Sequence, residues 1–77
     1  MITILFFAHL GDQAGESSVQ MQAAGMTAGE MKEVLSETYR LKGIHTAMIA
    51  VNEEFADDST VLHDGDTIAF IPPVSGG

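Results

Sequence analysis

Only one stretch of this chain repeats its apolar residues at helical spacing. It opens on Thr27-Ala28-Gly29-Glu30, a capping box in which the threonine hydroxyl and the glutamate carboxylate serve each other's backbone amides. Met26 and Met31 flank it at the staple positions. Met31, Val34, Leu35, Thr38 and Leu41 then form an inward stripe, which predicts a helix from Ala28 to about Leu41 with Gly43 as a left-handed C-cap. Glu30, Glu33 and Glu37 precede Arg40 and Lys42, the charge order that the helix dipole favours. A chain of 77 residues has room for one small domain. One helix covers one face of one sheet, so the rest of the chain must supply that sheet.

The remaining patterned segments are strand-like. Ile2 to Leu10 sets Ile2, Ile4, Phe6 and Ala8 against Thr3, Leu5, Phe7 and His9, which predicts a central strand with apolar residues on both faces. Gly11 to Gly15 reads as a turn. Residues 17–24 place Val19, Met21 and Ala23 opposite Ser18, Gln20 and Gln22, a half-buried strand that closes a hairpin with the first. Residues 46–51 read as a buried strand, and Asn52 to Phe55 as a turn into an irregular segment. Val61 and Leu62 make a short apolar step, and Asp64-Gly65 a tight turn. Residues 66–71 form the last strand, with Ile68 and Phe70 on one face and Ala69 and Ile71 on the other. Pro72 and Pro73 stop further pairing because neither has an amide to donate. With the first and last strands parallel at the centre, this order predicts an α+β, β-grasp (ubiquitin-like) fold. It is a mixed sheet of four to five strands under one main helix, in a single domain 1–77 with a tail from about residue 72.

Composition narrows the chemistry. There is no cysteine, which excludes a disulfide scaffold, a thiolate metal site and a cysteine nucleophile. Eleven acidic residues oppose Lys32, Arg40 and Lys42, for a formal charge of -8. Such a surface is a poor match for nucleic acid or anionic membranes and suits a basic protein surface. No apolar run approaches the length of a membrane span, and the N-terminus lacks the basic region of a signal peptide, so a cytoplasmic protein is expected. His9, His45 and His63 have no metal-ligand spacing and read as strand-edge or loop residues. Asp57-Asp58 and Asp64-x-Asp66 read as solvated turns, and Met21, Met26, Met31 and Met48 as core filler. No metal site is expected.

The C-terminus carries the chemical signal. Two closing glycines have a chance probability of roughly 0.5% at a glycine frequency of about 7%. Gly76 and Gly77 have no Cβ, so an extended tail can thread a narrow channel. The carboxylate of Gly77 is unhindered and open to adenylation and then nucleophilic attack. Pro72 and Pro73 stiffen the tail's base, which lowers the entropy of inserting it.

MITILFFAHL, AVNEEF and LHDGDTIAFIPPVSGG, with the helix between them, resemble the MoaD/ThiS family of sulfur carriers, and most closely its molybdopterin synthase small subunits. The likeness spans essentially the whole chain, and PPVSGG is its most specific part. It implies that an E1-like adenylyltransferase uses ATP to activate Gly77, that a sulfur donor enzyme supplies sulfur to give a thiocarboxylate, and that Gly76 gives slender access. The resemblance further implies that the synthase large subunit holds the catalytic residues and that the tail donates sulfur there to cyclic pyranopterin monophosphate. The product is the molybdopterin dithiolene. This chain would then be no enzyme on its own and would bind no cofactor. It would be a co-substrate within a heterotetramer. One departure is the segment Leu10-Gly11-Asp12-Gln13, which lacks the arginine that many members carry after the first strand.

A partner surface follows from the alternation. Ile4, Phe6, Ile68 and Phe70 should face the helix, leaving Leu5, Phe7, Ala69 and Ile71 on the uncovered face with Phe55 on a nearby loop. Phe7, Phe55, Ile71, Pro72, Pro73, Val74 and Ser75 are therefore the expected partner contacts, with Glu53, Glu54, Asp57 and Asp58 as an acidic rim. Other readings stay open: a carrier for another sulfur pathway such as thiamine thiazole, a ubiquitin-like modifier joined through Gly77 to target lysines, or a β-grasp interaction module without tail chemistry. The chain's two lysines give little scope for chains of the ubiquitin kind.

Overall fold

The computed structural model describes residues 1–73 of the chain, so the expectations placed on Val74, Ser75, Gly76 and Gly77 lie outside the described residues. β1 (Ile2–Phe6), α1 (His9–Ala14), β2 (Ser18–Met21), α2 (Ala28–Tyr39), a 3-10 turn (Ile44–Thr46), β3 (Met48–Val51), β4 (Glu54–Ala56) and β5 (Thr67–Ile71) follow in order. The five strands form one sheet ordered β2-β1-β5-β3-β4. β1 and β5 lie parallel at its centre, with Ile4 beside Ile68 and Phe6 beside Phe70. β2 pairs antiparallel with β1 as the hairpin reading predicts. This is the β-grasp arrangement. Ile2, Ile4, Phe6, Ile49, Ile68 and Phe70 turn one sheet face onto Met31 and Leu35 of α2, and these residues form the buried core.

The start of α2 is fixed as the sequence indicates. Glu30 N donates to Thr27 Oγ1 at 3.2 Å, and Thr27 N donates to Glu30 Oε1 at 2.9 Å. Two more first-turn amides are taken by the loop before β5: Ala28 N donates to the Thr60 carbonyl and Gly29 N to the Asp58 carbonyl, both at 2.9 Å. Gly29 lets the loop approach this closely: a Cβ there would come within 3.2 Å of the Asp58 carbonyl oxygen, so the loop would have to shift slightly. Lys32 completes the clamp. It is only 5% exposed, and its Nζ pairs with Asp58 Oδ1 at 2.9 Å and donates to the His45 carbonyl at 3.2 Å. One side chain therefore ties the 57–60 loop and the 3-10 turn to the helix. Its aliphatic stem fills core space while its head is satisfied at the edge. Lys32→Ala is expected to lower stability by about 1–2 kcal/mol, and Lys32→Met to recover roughly half of that by refilling the stem's space. Thermal unfolding of the two variants checks this; equal losses would show that the packing contributes nothing.

Several local expectations are corrected. The first strand ends at Phe6, not Leu10. Ala8, at φ 53 and ψ -136, turns the chain, and residues 9–14 form α1 where a turn was expected. Burial of Leu10 and the left-handed Gly15, whose N–H donates to the Gly11 carbonyl at 2.9 Å, hold this short helix. His9 is thus a helical residue. The second strand is the shorter Ser18–Met21. α2 ends at Tyr39 with Arg40 in the left-handed region at φ 54. Gly43, at φ 86, instead opens the 3-10 turn that carries buried Ile44 inward. Thr38 is exposed. Tyr39 replaces it on the inner side, packing edge-on against Phe6 with ring centroids 5.7 Å apart. The strand expected from residue 46 begins at Met48, and Phe55 belongs to strand β4 rather than to a loop.

Candidate functional site

The sheet face that α2 leaves bare holds the site. Directly paired residues in neighbouring strands share a face, so the register alone assembles it. Leu5 pairs with Ala69, Ala69 with Ala50, Ala50 with Phe55, and Ile71 with Met48. Ala50 and Ala69 are small and sit centrally, so the surface dips between them. The result is an open groove of about 620 Å³ lined by Leu5, Phe7, Ala50, Phe55, Ala69 and Ile71, with Asn52, Glu53 and Thr67 at its polar end. The two aromatic walls are strongly exposed, Phe55 at 74% and Phe7 at 46%. A solvent-facing sheet surface ordinarily carries polar side chains, and a continuous apolar one marks a binding face.

The expected residues divide clearly. Phe7, Phe55 and Ile71 come together on this face. Pro72 is buried and Pro73 exposed where the chain leaves β5. Of the acidic rim, Glu53 lines the groove, whereas Glu54 and Asp57 border a second hollow shared with Val51, Ala56 and His63. Asp58 does not join the rim; it is turned to Lys32. Met48 is the residue that sequence reasoning missed. It is 48% exposed and beside Ile71, not core filler. The signal was available: an antiparallel neighbour of the last strand residue must share its face.

The polar end of the groove is held by a compact network. Asn52 and Glu53 turn between β3 and β4 with φ of 51 and 71. Asn52 Nδ2 donates to Asp66 Oδ1 at 2.9 Å, and Thr67 N donates to Asn52 Oδ1 at 3.0 Å. The His63 amide donates to Asp66 Oδ2 at 2.8 Å; this bond, then that from Asn52, holds the Asp66 carboxyl below its ordinary value of 3.8. Asp57 is lowered likewise, chiefly by the Ser59 hydroxyl at 2.6 Å. A carboxylate with a depressed folded pKa contributes stability above its unfolded pKa and loses it as pH falls through the folded value. The melting temperature is therefore expected to drop as pH falls below about 3.8, and to drop less in Asp66→Asn. Parallel acid melts of the two proteins check this; identical slopes would remove Asp66 from the account.

Among the described residues, no group of three His, Asp or Glu side chains is placed to hold a metal ion. None of the helices of the described residues is long and apolar enough to cross a membrane. What the arrangement offers is a docking face beside the exit of the C-terminal segment.

Comparison with known proteins agrees with that geometry. The ThiS family model matches residues 4–77. A molybdopterin synthase sulfur carrier subunit from Mycobacterium tuberculosis is 36% identical, the match covering 99% of this chain and 96% of the relative. Among solved structures, a protein–protein complex of subunits 1 and 2 of molybdopterin-converting factor from Helicobacter pylori contains a chain 31% identical, with a TM-score of 0.71 over 99% of this chain and 97% of that one. SAMP1 from Haloferax volcanii superposes with a TM-score of 0.79 at 25% identity, covering 99% of this chain and 98% of its own. With its family match running nearly end to end and its β-grasp sheet ordered as described, this chain belongs to the ThiS family.

Proposed function

We propose that the chain is the sulfur carrier subunit of molybdopterin synthase. The observation that carries this reading is the end-to-end likeness to sulfur carrier subunits, joined to an apolar groove bordering the strand from which the tail departs. In this reading an E1-like enzyme attacks ATP with the Gly77 carboxylate, and pyrophosphate leaves. Sulfide-level sulfur, supplied through a donor enzyme with a thiol reductant, then attacks the acyl carbon and expels AMP, leaving a thiocarboxylate on Gly77. The groove docks on the large subunit, and the tail reaches that subunit's catalytic site. There the sulfur bonds to cyclic pyranopterin monophosphate, and water hydrolyses the acyl–sulfur bond, so that Gly77 returns to a carboxylate and the sulfur stays on the acceptor. The chain itself supplies no acid, base or metal. It supplies an unhindered acyl carbon, two glycines that fit a narrow channel, and a surface that orients them. The absence of cysteine fits, since the sulfur is held on main-chain carbon.

Intact mass spectrometry after incubation with ATP, a sulfur source and the cognate adenylating enzyme tests this directly. The expected result is a mass gain equal to one oxygen exchanged for one sulfur, localised to Gly77. An unmodified mass, with the enzyme active on a control carrier, would overturn it. The likeness to SAMP1, a small archaeal modifier protein, gives the second reading its one support: conjugation of Gly77 to lysines of other proteins. Lysine-linked adducts in place of the sulfur exchange would move the assignment there.

A further inference from the structure

The Phe55 wall of the groove has little side-chain packing to hold it. We propose that Asp66, acting through Asn52, is a positioning residue for docking: the pair fixes the turn between β3 and β4, and with it the Phe55 ring, to the start of the central strand β5. The inference rests on the carrier reading and deepens it by naming what keeps the docking face in shape.

Phe55 is strongly exposed, and the residue paired with it across β3 is Ala50, whose methyl group gives a ring little support. β4 is three residues long, lies at the sheet edge and has a strand neighbour on one side only. The place of the ring is therefore set by where the hairpin backbone stands. Local preference does not fix that backbone. Asn52 and Glu53 both hold positive φ, a region that asparagine tolerates and glutamate disfavours.

The hairpin is held from β5 instead. Asn52 makes three bonds there: its amide donates to the Thr67 carbonyl at 2.8 Å, its Oδ1 accepts from Thr67 N at 3.0 Å, and its Nδ2 donates to Asp66 Oδ1 at 2.9 Å. Asp66 is anchored away from the hairpin. Its carboxylate accepts from His63 N at 2.8 Å, its amide donates to the His63 carbonyl at 3.0 Å, and its carbonyl accepts from Thr3 N of β1 at 3.0 Å. The connection runs from β1 through Asp66 and Asn52 to the turn, and from the turn to Phe55. Asn52 lines the groove, whereas Asp66 borders the second hollow. An influence of Asp66 on docking is thus passed on through the clamp. Without the clamp the hairpin samples several positions, and docking must order it again, which costs affinity. These bonds are open to water, so each is worth little and the expected effect is modest.

The test is a set of double-mutant cycles. Affinity of the full chain for the cognate synthase large subunit is measured by titration calorimetry for Asp66→Ala and Asn52→Gly, each alone and combined with Phe55→Ala, after melting curves show the variants folded. Glycine at position 52 keeps the left-handed turn and the main-chain bond to Thr67 while removing the side-chain clamp. Asp64→Ala is the charge-matched control, because Asp64 pairs with the chain's amino group and takes no part in the clamp. Asp66→Ala and Asn52→Gly are each expected to weaken binding about 3- to 10-fold, and Asp64→Ala by less than about twofold. In the Phe55→Ala background the two clamp variants are expected to cost less than about twofold more, since effects that act through one side chain do not add. If Asp66→Ala fails to fold, Asn52→Gly carries the comparison. Unchanged affinity in the clamp variants, an equal loss in the control, or a full further loss in the Phe55→Ala background would overturn the positioning role and leave the carrier reading standing. A wild-type chain that the large subunit does not bind would overturn both.

Discussion

Removal of Gly77 is expected to abolish sulfur transfer completely while leaving the melting temperature of the domain unchanged. The stability half of this expectation follows from the core, whose buried hydrophobic side chains among the described residues run from Ile2 to Phe70 and so are supplied without Gly77. The activity half follows from reach. Each residue of extended chain spans at most ~3.3–3.6 Å. Reacting atoms must come within ~3–3.5 Å of each other. A chain ending at Gly76 presents its carboxyl one full residue short, so the adenylating site cannot bring it to ATP unless the docked domain gives up its own contacts. The truncated chain should compete with the intact one for the large subunit, because the groove is untouched. Molybdopterin formation in a reconstituted synthase checks the prediction, with competition binding as the second readout. A truncated chain that still supports product formation would sink the assignment of the acyl carbon to Gly77.

Much of this architecture is legible in the sequence, and the exceptions have physical reasons. The capping box at Thr27 and Glu30 is a local signal, complete within four residues, and it sets the start of α2 where expected. The alternation in β1 and β5 is equally local, and it identifies both the covered face and Phe7, Ile71 and Ala69 on the other. α1 is different. A six-residue segment with a glycine inside it has no helix propensity of its own. It forms because Leu10 is buried and Gly15 closes it, both consequences of the finished fold. Lys32 fails for a similar reason. A lysine beside Met31 reads as solvent-facing until the Asp58 carboxylate and the His45 carbonyl are brought to it. Those partners lie 26 and 13 residues away in sequence, and no periodicity reports them.

The turn at Asn52-Glu53 links the legible and illegible parts. Both residues hold positive φ, and the second place of such a hairpin turn is the one where glycine is easiest. Glutamate there runs against local preference. It also places a carboxylate at the lip of an otherwise apolar groove. Departures from local preference concentrate where a site needs them, and this one falls on the rim of the proposed docking face.

Phe55→Arg is expected to weaken binding to the synthase large subunit by about 100-fold, equivalent to about 2.7 kcal/mol, while shifting the melting temperature by no more than about 2 °C. Phe55 is 74% exposed on a three-residue edge strand, so the folded monomer gains little from its ring. In a complex the same ring stands over Ala50 and closes the groove against the partner, the position in which an aromatic side chain contributes most to an interface. Arginine keeps the length but puts a charge into the desolvated centre. Phe7→Arg should weaken binding comparably but cost more stability, since Phe7 is 46% exposed against 74% for Phe55 and its ring is the more buried of the two. The pair therefore separates docking from folding: titration calorimetry reads the first and thermal melts the second. Unchanged affinity in Phe55→Arg would mean that the partner meets another face of the sheet, and the groove would lose its assigned role.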